Sequence, residues 1–283
     1  MSTMLLRQLA CLTMLILAAG ARTVCAQTPS PLQEWQYPGG IVLERLFEPK
    51  IPEWRVILGI ASTVEPIYDG SHAYHIEGGP AINIRYYDIA FISVGEGLGV
   101  NILRGDHYRA GVSIGYDLGR RVSDDYAHLH GLGDIDPAPT AQIFGDWVVS
   151  KHFPLVLRTN MRRIVRGGDG YVADVEAYMP LPGSSRRFIM FAGPTYTFAD
   201  QRHMQEMFGV TPGQARASGY RVYSAHGGSD AKGVGFSATL FITKHWLVNA
   251  DGAENWLLGS AGESPITQRH FQRTLALTTA YQW

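Results

Sequence analysis

The sequence predicts an all-β fold, an antiparallel transmembrane β-barrel of about 12 strands, of the outer-membrane type. Three observations predict it. The chain closes on an alternation: Leu275, Leu277, Thr279, Tyr281 and Trp283 fall on one face, and Ala276, Thr278, Ala280 and Gln282 on the other. Successive strand side chains point to opposite faces, so this is a strand with one apolar face and an aromatic end. Lipid-facing barrel strands have that form, with aromatics at the membrane interface, and Leu275, Leu277, Tyr281 and Trp283 read as a membrane-assembly signal. The chain opens on a segment built like a secretory signal. Between the two lie short strand-like runs divided by turn residues, and no later stretch approaches the ~18 apolar residues of a membrane helix.

Residues 1–26 read as the signal peptide. Arg7 supplies the charge, Leu9 to Ala21 the apolar stretch, and Val24 with Ala26 the small residues of a cleavage site before Gln27. Lipidation at Cys25 fits poorly, because Arg22, Thr23 and Val24 precede it. The two cysteines, Cys11 and Cys25, both lie in this segment. An exported chain can use disulfides, yet the remainder has no cysteine, and a closed hydrogen-bonded barrel would hold it instead. The net charge is −1, and loss of Arg7 and Arg22 leaves the rest slightly more acidic. That is no footprint for nucleic acid.

Residues 27–52, rich in Pro, Gly and polar side chains, read as an extended N-terminal segment, with the barrel over 53–283. The first runs are Trp54 to Val64, Ala81 to Asp88 and Ala90 to Leu103. The fourth, Tyr108 to Leu118, is the clearest. Tyr108, Ala110, Val112, Ile114 and Tyr116 share one face, while Arg109, Ser113 and Asp117 share the other and need water or partners in a lumen. Then come Thr140 to Ser150, Pro154 to Val165, Tyr171 to Met179 and Arg187 to Phe198. The last four are Tyr220 to His226, Val234 to Thr243, Trp246 to Leu257 and Phe271 to Trp283. Most are near the ~9–11 residues that a tilted strand needs to cross, and an even count suits bacterial barrels.

Two connections are long. One, near 119–138, holds His128, His130, Gly131, Leu132, Gly133, Asp134 and Asp136. The other, near 199–219, holds Met204, Met207, Phe208, Gly209, Val210, Thr211 and Pro212. They follow the fourth and eighth runs, so they share one face. With a periplasmic N-terminus, parity makes that face periplasmic, the reverse of ordinary porins. Met204, Met207 and Phe208 then suit a docking surface, since interface cores favour Met and aromatics. The alternative is that both segments cap the barrel mouth.

Through Tyr108–Arg121 with Gly131–Asp136, through Phe198–Pro212, and through its aromatic C-terminus, the chain resembles the MipA/OmpV family over essentially all of the mature sequence. It departs mildly at His130, where a more basic residue is expected before Gly131-Leu132-Gly133-Asp134. The resemblance implies an outer-membrane barrel made by the barrel-assembly machinery and surrounded by outer-membrane lipid. For the MipA branch it implies a non-enzymatic scaffold joining a periplasmic lytic transglycosylase to a peptidoglycan synthase. For the OmpV branch it implies a pore or a surface-exposed barrel, for small solutes or host contact. On the scaffold reading, His130 to Asp134, Met204, and Met207 to Pro212 are the partner-binding candidates.

No catalytic residue, cofactor or metal is expected. Gly111-Val-Ser113-Ile-Gly115 matches a nucleophile motif that works on a sharp strand-to-helix turn, but Ser113 falls inside a strand. Ser229-Asp-Ala-Lys232 has no companion motif. His128, His130, Asp134 and Asp136 are read as turn-forming residues rather than ligands. His72 and His75 are placed in a solvated loop, and Arg104, Asp106 and His107 at an outer rim.

Overall fold

The computed structural model describes residues 51–150, 152, 154–165 and 170–283. The expected signal peptide and nearly all of the extended segment lie outside the described residues. Twelve strands pair in sequence order, each antiparallel to the next, and the first pairs with the last to close the barrel. They are β1 (Trp54–Pro66), β2 (Tyr74–Tyr86), β3 (Ala90–Ser93), β4 (Gly97–Arg104), β5 (Tyr108–Asp117) and β6 (Ala138–Val148). The remainder are β7 (Val156–Ile164), β8 (Tyr171–Pro180), β9 (Phe188–Ala199), β10 (Gly228–Phe241), β11 (Trp246–Leu257) and β12 (Phe271–Gln282).

Closure follows from alternation. β12 turns Leu275 and Leu277 outward and buries Ala276, Thr278 and Ala280. Its register with β1 runs from Ile57 opposite Gln282 to Val64 opposite Leu275, and the Trp283 amide donates to the Val56 carbonyl. The outward band continues around the wall through Ile60, Ile92, Val112, Ile143 and Val234, all exposed. Aromatics flank it at both ends. Trp54, Tyr108, Trp147 and Trp246 lie toward the termini, and Tyr116, Tyr171, Trp256 and Phe271 toward the other mouth. Two girdles around one apolar band mark a membrane-spanning barrel.

Three expectations change. The run Ala90 to Leu103 is two strands, with β3 and β4 folded against each other so that Ile92 faces Leu98. The turn takes three residues, 94–96, so even-numbered side chains stay outward on both strands as far as Ile102, and the period-2 pattern does not reset across the turn. The run Tyr220 to His226 is not a strand of the wall; it lies over the mouth and makes one bridge, Tyr223 to Val210. These two errors cancel in the count but not in parity. The long connections follow β5 and β9, so they lie at the end opposite the start of β1 and the end of β12, and His107 with its neighbours lies at the same end as those two. Finally, β2 starts at Tyr74, and His75 is a strand residue paired with Glu65.

The β3–β4 hairpin is low. β3 reaches β2 only from Asn83 to Tyr86, with one further bond from the Val94 amide to the Ile82 carbonyl. That bond shows that even-numbered β2 residues aim their backbone groups at β3, so Pro80 lies where the ladder has run out. Proline has no N–H to leave unsatisfied there.

Candidate functional site: a charged lumen under a helical cap

The lumen is crossed by a ladder of alternating charge. Arg109 of β5 is opposite Asp146 of β6, Asp146 is opposite Arg158 of β7, and Arg158 is opposite Glu176 of β8. Two further groups complete it: Arg85 from β2 and Glu96 from the β3–β4 turn. Glu96 pairs with Arg85 and, at 3.2 Å, with Arg109, while Arg109 also pairs with Asp146. Arg158 stands 3.6 Å from Glu96 and 3.8 Å from Asp146. The Arg85 and Arg109 guanidiniums also lie over the rings of Phe91 and Phe144. The three arginines and the three carboxylates balance, so the layer is close to neutral.

The layer is dry. Glu96 and Arg109 are each 2% exposed and Arg158 1%. In a water-filled channel, wall side chains at this level would stay wet, so the lumen is filled by its own side chains. Toward the termini, Val148, Val156, Tyr178, Ile189 and Phe191 pack together as an apolar floor. Toward the cap, Arg162 pairs with Asp174 at 3.1 Å, and the Thr197 hydroxyl donates to the same carboxylate.

Four connections build the cap. Residues 118–137 carry a 3-10 turn (Val122–Asp125) and helix α1 (Tyr126–Leu129). Residues 200–227 carry α2 (Gln201–Phe208) and α3 (Pro212–Ser218), and 258–270 carry α4 (Gly259–Glu263); 67–73 close the ring. Sequence reasoning missed α2 and α3, although their signals are present. The Asp200 side chain accepts from the His203 amide, and Thr211 with Gln214 forms a capping box with Pro212 inside the first turn.

The cap is locked by its carbonyls and by two apolar clusters. Arg120 donates to the Met207 carbonyl at 2.8 Å, and the Ser264 hydroxyl donates to the Phe208 carbonyl at 2.6 Å. Met204, Met207 and Phe208 pack with Ile135, Val172 and Leu257, while Leu132 and Val210 pack with Tyr68, Leu129 and Ile266. Each large side chain so buried contributes about 2 kcal/mol. Burial pushes the Tyr68 hydroxyl's pKa well up. Burial and the nearby Arg162 charge lower His203 to about 4, against the opposing pull of Asp200.

The candidate partner-binding residues therefore come together, with half of them facing inward. Leu132, Met204, Met207, Phe208, Gly209 and Val210 are buried, His130 is half-buried, and Gly131, Gly133, Asp134, Thr211 and Pro212 are exposed. The two motifs lock onto one another. A side chain on Gly131, at φ +78°, would meet the Ala217 backbone at 2.6 Å, and Gln214 donates to the Leu132 carbonyl. Asp134 accepts from the Val122 amide at 2.7 Å, and His128 pairs with Asp125 at 2.9 Å. Ser113 faces the lumen wall, buried within β5.

A family model described as "MltA-interacting protein MipA" matches residues 58–283. The chain belongs to the MipA family. It is an outer-membrane β-barrel. Searching curated proteins finds no match. Among solved structures, the chain is similar to the CymD monoaromatic hydrocarbon channel at 8% identity, covering 93% of this chain and 98% of that one, with a TM-score of 0.43. It is similar to the NanC porin at 10% identity, with coverage of 79% and 98% and a TM-score of 0.41. It is also similar to OmpT of Vibrio cholerae at 10% identity, with coverage of 83% and 99% and a TM-score of 0.36.

Proposed function

We propose that this MipA-family barrel is a non-enzymatic outer-membrane scaffold that tethers a murein lytic transglycosylase, and with it a peptidoglycan synthase, in the periplasm. The observation that carries the reading is the filled lumen: a barrel filled by the Arg109–Asp146–Arg158 layer is suited to presenting surfaces rather than passing solutes. The family description supports the partner class.

The strand order supports docking at the end of the barrel away from the cap. Outer-membrane barrels keep short turns in the periplasm. Here the short turns share an end with the start of β1 and the end of β12. On this reading the cap faces outward and the enzyme-binding surface is the turn end. Within it, the turn at 181–187 presents the exposed Arg186 and Arg187. The exposed cap residues Gly131, Gly133, Asp134, Thr211 and Pro212 are left for contacts outside the cell.

Residues 27–283 hold no cysteine, which allows a clean test. Ser123→Cys in the cap should react with a bulky maleimide on intact cells. Ser185→Cys in the turn should react only after the outer membrane is permeabilised. The purified barrel should retain the transglycosylase, lose it on Arg186→Glu with Arg187→Glu, and give no steady conductance in planar bilayers. Steady conductance without enzyme capture would establish the pore reading instead.

A further inference from the structure

We infer that Glu65, His75 and Glu77 form a binding site for a divalent transition-metal cation of the zinc class, at the cap end of the β1–β2 hairpin. The strand register assembles it. Glu65 is directly opposite His75, and Glu77 is opposite Thr63, so the three side chains share the lumen face as one cross-strand pair and its diagonal neighbour.

The spacing is that of ligands rather than of hydrogen-bonded partners. His75 Nε2 lies 3.6 Å from a carboxylate oxygen of Glu65 and 3.6 Å from one of Glu77. One ligand atom from each residue can be chosen so that all lie within 4.8 Å of one another. An N–H···O bond would close to about 3.0 Å. Two ligands at about 2.0–2.2 Å from one tetrahedral ion stand roughly 3.4 Å apart.

A second observation points the same way. Nε2 is buried and meets no hydrogen-bond partner. The facing Glu65 is only 8% exposed, so a carboxylate and an imidazole nitrogen are desolvated together without bonding. Leaving such groups unsatisfied is costly, and a cation satisfies all three at once. The charged groups acting on the cluster from neighbouring elements, Asp69 and Asp124, are acidic and deepen its negative potential.

Imidazole with two carboxylates suits zinc, manganese or ferrous iron, whereas calcium and magnesium prefer oxygen alone. Three protein ligands leave one position for water, and the His75 and Glu77 side chains, 26% and 20% exposed, keep a way in. The location also gives the ion something to do. Above Ile82, β2 pairs with β1 alone among the described strands, and a cation shared between Glu65 and the two β2 ligands would clasp the pair where the ladder is one-sided.

The test uses the untagged mature barrel, refolded in detergent and stripped with a chelator. Titration calorimetry with Zn²⁺ should give one cation per chain, and Co²⁺ should give the absorption of a tetrahedral site. His75→Ala and Glu65→Gln should each weaken Zn²⁺ by more than the roughly tenfold that loss of even an outer-shell partner costs. His226→Ala, exposed on the cap, should leave affinity unchanged. Heat-modifiability on gels checks that each variant is folded. If neither variant folds, pulsed EPR on the Cu²⁺-loaded natural chain decides, with coupling to one imidazole expected. No Zn²⁺ binding by the natural chain, affinity unmoved in the folded variants, or no imidazole coupling would each overturn the site.

Discussion

Asp146 sits between two arginines, Arg109 on one neighbouring strand and Arg158 on the other, with almost no contact with water. Removing one charge from such a layer strands the others, so Asp146→Asn should cost on the order of 3–5 kcal/mol. Urea midpoints in detergent micelles measure this. Replacing Asp146 with Leu together with Arg109→Met should recover much of the loss, because a buried ion pair and a matched apolar pair differ little. Equal loss in single and double variants would show that the layer acts by shape alone. His203 makes a pH prediction. Its folded pKa of about 4 lies below the ordinary 6.5, so the unfolded chain binds more protons between those values. Stability from neutral His203 is therefore present above about pH 6.5 and lost as pH falls toward 4. Tryptic cleavage of the cap should rise between pH 7 and pH 5, and His203→Gln should flatten that rise.

At the scale of elements, the cap depends on the place where residues 118–137 touch α3. Gly131 combines a left-handed backbone with a backbone neighbour that leaves no room for Cβ. Gly131→Val should release α2 and α3, making 200–227 protease-sensitive at neutral pH while the barrel keeps its heat-modifiability. Protection equal to that of the natural chain would mean the cap is held elsewhere. These elements were legible in the sequence to different degrees. β5 and β12 announced themselves because each has one clean apolar face with small or polar residues opposite. The upper half of β2 was hidden by Gly78-Gly79-Pro80, normally a strand breaker, tolerated here because Pro80 lies beyond the last ladder bond to β3. The β3–β4 turn was hidden by its parity. Tyr220 to His226 alternates as a strand would, but Tyr223 packs on two clusters of the cap instead. Of the candidate site, the two motifs near Gly131 and Met204 were visible. Their contact with each other was not, because it is made between loops far apart in sequence. The lumen ladder was visible only as isolated charges, since Arg109 and Asp146 meet through a register that no single strand encodes.

For the whole molecule, two barriers stand in series: the cap above and the charged layer with its apolar floor below. Deleting 201–226 breaches only the first, by taking out α2 and α3, so bilayer recordings of that variant should stay silent. Steady current from it would place the sole barrier in the cap. The seam between β1 and β12 brings together the first and last strands of the wall. Loop closure over that separation is slow and is rewarded only at the end. Until it happens, the first strand keeps a raw edge that any passing strand can copy. The barrel is thus most vulnerable to misassembly during its own construction, in the interval before the last strand covers the edge of the first.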